Sequence, residues 1–280
     1  MSSSFQFGTV GSPIGTPKKP GGSVGAILFS KSIGLETLEL GWVQAVRVSE
    51  ATCAAIRQAA EEQGVSLSVH APYFINLNAD ETEWPKSRQR LMDAAHYGNL
   101  AGATDIVFHP GSYFERPPQQ VLQTALPRLQ GCLDELRAAG NPVTLRPETM
   151  GKAAMLGSLE DTLAMSQISG VEPCLDFAHL HARPGDGSFN TYDEWARALD
   201  GYAKALGEMA LRRLHIHLSG IEYGPKGEKN HLRLSEADLD VRALLRALKD
   251  FGCGGRILCE SPVMEEDALE LKRLWQEISA

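Results

Sequence analysis

The sequence predicts an α/β fold, a (β/α)8 TIM barrel that forms a single domain over residues 1–280. Three observations carry this expectation. Eight short apolar runs alternate with eight longer amphipathic stretches. The length, 280 residues, suits one such barrel, which typically takes about 250. Most of the later runs close on a histidine or a carboxylate, at the place where barrel strands open onto the C-terminal mouth.

The first run, Phe5–Val10, leads through a Gly-, Pro- and Lys-rich connection, Gly11–Gly22, into a helical pattern over 21–33. Leu35–Gly41 is followed by a helix over 50–63, Ser66–His70 by one over 84–102, and Asp105–His109 by one over 117–138. Pro142–Glu148 precedes a helix over 158–169, and Glu172–Asp176 one over 191–207. Arg213–Leu218 precedes a helix over 235–250, and Arg256–Glu260 one over 264–279. Strand alternating with helix indicates βαβ units and a parallel sheet. Repeated eight times, it indicates a closed barrel. No GxGxxG follows the first run, which disfavours a dinucleotide-binding sheet. The long segment Ser219–Arg233, containing GPKGEKNH, is expected as a loop on the active-site face.

The formal net charge is −8. That argues against a passive nucleic-acid-binding module, whose affinity rests on phosphate contacts. It leaves room for an enzyme whose bound cations supply local positive charge. The five cysteines form no CxxC pair and are expected to be reduced thiols of a cytoplasmic protein. Met1–Ala26 contains no long apolar run, so neither a signal peptide nor a membrane span is expected.

Alternate residues of a strand share a face, so the last inward position of each barrel strand opens at the mouth. Six consecutive strands place a metal-ligand type there: His70, His109, Glu148, Asp176, His217 and Glu260. One such residue alone would mean little; the succession offers more donors than a single ion uses, so two or more ions are expected. His179, in DxxH after Asp176, and His231, in the long loop, extend the set. His96 lies inside a helix and is expected to be structural; His181 reads as a spare loop residue, and His215 lies one layer below His217. Arg146, two residues before Glu148, should point into the barrel and needs a buried partner, for which Glu39 is the candidate.

In this order the residues resemble the endonuclease IV family: His70, FHPG with His109, Glu148, DxxH with Asp176 and His179, HLS with His217, the loop His231 and Glu260. The resemblance runs from about residue 5 to 262. It implies a barrel of the xylose-isomerase-like group that cleaves the backbone 5′ to abasic sites during base-excision repair. It also implies zinc as cofactor, with manganese and iron as alternatives by donor type. His70, His109 and Glu148 would hold one ion. Glu148, Asp176, His217 and Glu260 would hold a second, and His179 with His231 a third. The family's aspartate two residues before His231 is replaced by Lys229, which cannot ligate while charged. Either the adjacent Glu228 takes that place by a small loop shift, or the third site is weakened, or only two ions bind.

The resemblance further implies damaged double-stranded DNA as partner, with Tyr73 and Phe74 at the base stack and Lys229, Lys226, Lys18 and Lys19 near phosphates. Trp42, Gln44 and Arg47 are further residues of the strand-two loop available to DNA. Glu148 and Glu260 are the expected catalytic carboxylates, and the protein is expected to be a monomer. The rival is a sugar isomerase or epimerase of the same barrel group. It would use Glu148, Asp176, His217 and Glu260 around one ion. That rival suits the net charge and the missing aspartate, but leaves His109, His179 and His231 without a task.

Overall fold

A computed structural model describes residues 5–280. The barrel strands are β1 (Phe5–Val10), β2 (Thr37–Gly41), β3 (Ser66–His70), β4 (Ala103–Phe108), β5 (Thr144–Pro147), β6 (Cys174–Asp176), β7 (Leu214–Leu218) and β10 (Gly255–Cys259). They form one parallel sheet in the order β5-β4-β3-β2-β1-β10-β7-β6. Single bridges, Leu145 to Val171 and Glu148 to Cys174, join β5 to β6 and close the ring. The predicted (β/α)8 barrel is therefore the observed fold.

Strict alternation explains why these strands close. On β7, Leu214, Ile216 and Leu218 face the helices, which leaves His215 and His217 inside. Leu67 and Val69 on β3, Ile106 and Phe108 on β4, and Ile257 and Cys259 on β10 pack outward in the same way. The outward residues meet α1 (Gly22–Ser32), α2 (Glu50–Gln63), α3 (Trp84–Ala101) and α4 (Pro118–Ala138) on one side. On the other they meet α7 (Tyr192–Leu206), α8 (Val241–Asp250) and α9 (Glu265–Ser279). Gly8 permits the close approach of β1 to β2: a Cβ there would sit 1.9 Å from the Thr37 carbonyl oxygen. Among the described residues, no helix is long and apolar enough to cross a membrane.

Three expectations are corrected. Ser219–Arg233 is not a loop but a β-hairpin, β8 (Gly220–Gly224) against β9 (Gly227–Leu232). The helix expected over 235–250 begins only at Val241, because the Asp240 side chain accepts from Ala243 N and caps it there. The helix expected over 158–169 is α5 (Leu159–Met165), opened by a Ser158–Asp161 capping box. All five cysteines are buried and free.

Candidate metal centre

The inward residues of five strands converge on Glu148, which follows β5 and is fully buried. Its Oε2 lies 3.3 Å from His70 Nε2 and 3.3 Å from His109 Nε2. Its Oε1 lies 3.2 Å from His179 Nδ1 and 3.5 Å from His217 Nδ1. Glu260 Oε2 is 3.6 Å from the same His217 nitrogen, and Asp176 Oδ2 is 3.2 Å from His179 Nδ1. Among the described residues five donor groups form, three of them at this centre: His70–His109–Glu148, Glu148–Asp176–His217–Glu260, and His179–Glu228–His231; the other two, Glu39–His70–His217 and Cys174–His215–His217, are wholly buried. Within each, one donor atom per residue lies within 4.8 Å of the others, and Glu148 is shared by the first two.

Local structure aims these side chains. Asp176 is the N-cap of α6 (Phe177–Ala182), and its Oδ1 accepts from His179 N at 2.7 Å. This is why DxxH sets the two residues side by side, Asp176 in the second cluster and His179 in the third: the cap and the first helical turn lie over each other. His70 Nδ1 faces the Ala71 carbonyl at 2.9 Å, His179 Nδ1 that of Thr149 at 2.9 Å, and His231 Nδ1 that of Glu260 at 3.0 Å. A carbonyl can only accept, so Nδ1 carries the proton in the neutral ring and Nε2 keeps its lone pair. The hairpin brings in the third cluster: Glu228 N donates to the Gly151 carbonyl at 2.9 Å, and Lys152 bridges to Gly227.

Buried polar atoms in folded proteins are nearly always paired. Here both oxygens of Glu148, Asp176 Oδ2 and both ring nitrogens of His217 are buried without a hydrogen-bond partner. Such a concentration of unpaired carboxylate and imidazole atoms fits divalent cations of zinc type. The electrostatics agree. Burial works against the Glu148 charge, but His109, His179 and His217 outweigh it and hold the carboxyl well below the usual range. Burial, with Glu260 and Glu148 adding repulsion, pushes Asp176 up to about 7. Burial opposes charge on His70 and His179 too. Glu148 overcomes it for His70, and Asp176 with Glu148 for His179, so both sit above the ordinary histidine value. Burial leaves His109 below that value.

A family model described as the xylose isomerase-like TIM barrel matches residues 27–278. The chain belongs to that family. An uncharacterized protein of Methanocaldococcus jannaschii is 37% identical over 273 residues, 97% of each chain. Endonuclease 4 of Thermus thermophilus is 27% identical over 271 residues, 91% of this chain and 94% of that one. Among solved structures, an endonuclease IV from Thermus thermophilus superposes with a TM-score of 0.70 at 24% identity, over 98% of both chains. A D-tagatose 3-epimerase-like protein superposes with a TM-score of 0.70 at 15% identity, over 98% of this chain and 97% of that one. Both superpositions bear on the fold alone. The resemblance to endonuclease IV seen in the motifs is thus supported by the family model and by the Endonuclease 4 relative.

Within this xylose isomerase-like barrel, His70, His109, Glu148, Asp176, His179, His217, His231 and Glu260 all fall in one of the three clusters. Glu228 joins them. Lys229 does not: its Nζ pairs with Glu222 Oε1 at 3.0 Å across the hairpin, and both side chains are about half exposed. The Tyr73 ring stacks on His109, with centroids 4.9 Å apart, and lines the cavity of about 280 Å³ beside the donors. Phe74 is 59% exposed and lines a neighbouring groove of about 470 Å³. Lys18, Lys19, Lys226, Gln44 and Arg47 are exposed, whereas Trp42 packs partly against the core.

Two expectations about supporting residues fail. Arg146 does not pair with Glu39. Its Nε donates to Asp105 Oδ1 at 2.6 Å, and its Nη1 lies 3.4 Å from Glu172 Oε2. The physical reason is ring order: β5 lies beside β4 and β6, so the arginine finds Asp105 on β4 and the residues leading into β6. His181 is no spare loop residue. It is buried in α6, with Nε2 2.9 Å from Asp238 Oδ1 and Nδ1 2.9 Å from the Phe189 carbonyl oxygen. Asp105 was missed, although it shares the inward parity of His109, which directly follows β4; parity counting would have found it.

Proposed function

We propose that the chain is a metal-dependent phosphodiesterase that cleaves the backbone of damaged double-stranded DNA 5′ to abasic sites, as in base-excision repair. The observation that supports this most is the third donor cluster, His179–Glu228–His231, beside the two that share Glu148. A one-ion sugar site has no use for it. In this proposal Glu228 stands in for the ligand missing at Lys229. The centre holds two or three ions, zinc by donor type, with manganese or iron as alternatives.

His70, His109 and Glu148 would hold one ion, Glu148, Asp176, His217 and Glu260 another, and His179, Glu228 and His231 the third. When bound, such ions supply Lewis-acid activation of the phosphodiester oxygens and of water. The chain's own groups supply position and proton transfer. Glu148 fixes the spacing of the donors around it. Glu260, the more exposed of the two catalytic carboxylates, takes the proton of the attacking water at Oε2. Water oxygen bonds to phosphorus as the bond from phosphorus to the 3′ oxygen breaks. Tyr73 walls the cavity, and Phe74 enters the base stack beside the abasic position. Arg90 donates to the Phe74 carbonyl at 3.0 Å and lies over its ring, 5.9 Å from the centroid, which stiffens the wedge. Exposed Lys18, Lys19 and Lys226 are placed in this reading at the DNA phosphates. The protein acts as a monomer in the cytoplasm, consistent with its free buried thiols.

A sugar isomerase or epimerase is the second reading, favoured by one observation. The Glu148–Asp176–His217–Glu260 set alone places two glutamates around one ion position, next to a cavity of only about 280 Å³. Zinc-loaded protein assayed in parallel on an abasic duplex, an undamaged duplex and a panel of ketoses separates the two. Incision confined to the abasic duplex supports the nuclease; ketose turnover without incision transfers the assignment to the rival.

A further inference from the structure

Glu39 is fully buried on β2, below the donors at the mouth, and the proposed chemistry does not use it. Its Oε2 accepts from the Ser68 hydroxyl at 2.6 Å and lies 2.9 Å from His215 Nε2. Its Oε1 lies 2.9 Å from His217 Nε2. The opposite nitrogen of that ring, Nδ1, faces Glu148 Oε1 at 3.5 Å and Glu260 Oε2 at 3.6 Å. His217 therefore stands between two sets of acids with one ring nitrogen toward each.

Three of the other four histidines of the centre are oriented differently. His70, His179 and His231 each turn Nδ1 to a backbone carbonyl. Among the described residues, no backbone carbonyl is paired with the His217 ring; Glu39 occupies the corresponding place on its far side. The pair is not aligned as a hydrogen bond, yet at 2.9 Å the Glu39 charge repels a lone pair on Nε2 and attracts a proton there. The proton therefore belongs on Nε2 and the lone pair on Nδ1. Ser68 and His215 meet the other oxygen, so the buried carboxylate is itself held in place.

We propose that Glu39 is a positioning residue that holds His217 in its Nε2–H tautomer, so that Nδ1 is presented as a ligand to the Glu148–Asp176–Glu260 cluster. A carboxylate behind an imidazole also makes the ring a more basic ligand than a carbonyl does. The inference rests on the metal-centre reading above, yet it assigns a task to residues that reading leaves idle: Glu39, Ser68 and His215.

The test is zinc affinity, measured by chelator competition on stripped wild type, Glu39→Gln and Glu39→Ala. It is combined with 15N-histidine spectra of the zinc-loaded proteins. Both variants should bind zinc about 10- to 100-fold more weakly. In wild type the His217 spectrum should show metal on Nδ1 and a proton on Nε2. The near-isosteric glutamine guards against an alanine variant that fails to fold. Unchanged zinc affinity in folded Glu39→Gln overturns the proposal and leaves the metal centre standing. So does a His217 ring that binds zinc through Nε2, which would make Glu39 a neighbour of the ion. Wild type that takes up no zinc overturns the metal-centre reading and this inference with it.

Discussion

At the scale of single residues, the centre turns on Glu148, which meets four histidines and belongs to two clusters. Glu148→Gln keeps the shape and removes the charge that those groups share. Turnover should fall more than about 100-fold, since even outer-shell changes at metal sites cost up to that much. Activity within a few-fold of wild type would remove Glu148 from the centre. The protonation pattern gives a second expectation. His70 and His179 hold protons more tightly than usual, and Asp176 titrates near 7, so the ion-free centre is partly protonated at neutral pH. Metal must displace those protons. Zinc affinity should therefore rise from pH 6 to pH 8, with proton release on binding; calorimetry in two buffers of different ionisation enthalpy measures the release. Affinity that is flat across this range would contradict the proton competition. The proposed ligands on the strands were legible in the sequence because residue type and strand parity coincide, from His70 through Glu260. Glu228 was readable there only as one of the alternatives at Lys229, because its placement depends on how the hairpin seats its chain against Gly151.

At the scale of elements, that hairpin is the piece most open to test. Gly227 has φ of +93°, and a Cβ there would lie 2.2 Å from the Gly151 carbonyl oxygen. Gly227→Val combines backbone strain, of order 1–3 kcal/mol, with a direct clash. The expected result is a folded barrel that binds one zinc fewer per chain, measured by elemental analysis beside circular dichroism. Unchanged zinc content would detach the hairpin from the third cluster. The hairpin itself was illegible because its strands, GIEYG and GEKNHL, are short, glycine-bounded and largely polar on β9, without the apolar alternation that marks a half-buried strand. The late start of α8 has a similar cause. Its apolar stripe reads back toward residue 235, but the Asp240 cap stops the helix where the pattern does not. The barrel strands, by contrast, were legible to within a few residues, because they are short apolar runs and most carry polar or small groups on the inward face.

At the scale of the molecule, the barrel is filled below the centre by charge rather than by the usual branched aliphatics. Asp105 pairs with Arg146 at 2.6 Å and with Arg256 at 3.2 Å, all three largely buried. Burial works against the Asp105 charge, but Arg146 and Arg256 outweigh it and hold the carboxyl far below its usual range. Its folded pKa is thus depressed, so its stabilisation is present above the unfolded value of about 3.9 and is lost as pH falls below it. Asp105→Asn removes the charge that two buried guanidinium groups share, leaving Arg146 only the longer carboxylate contact to Glu172, and should cost about 3–5 kcal/mol. Its stability, measured by denaturant titration, should also lose part of the acid dependence seen in wild type between about pH 4 and 2. A variant as stable as wild type would show that the network is not holding the barrel floor. Fold class was readable at this scale from repeat count alone; the interior network was not, since pairing across the barrel depends on ring order.

The most direct measurement of the whole account is incision of an end-labelled abasic duplex as a function of zinc bound per chain, beginning from stripped protein. Without metal, no incision is expected. Cleavage on the 5′ side of the lesion should then appear as zinc content rises above one per chain and saturate by two or three. Full incision by stripped protein, or none by a folded, zinc-loaded sample, would contradict it.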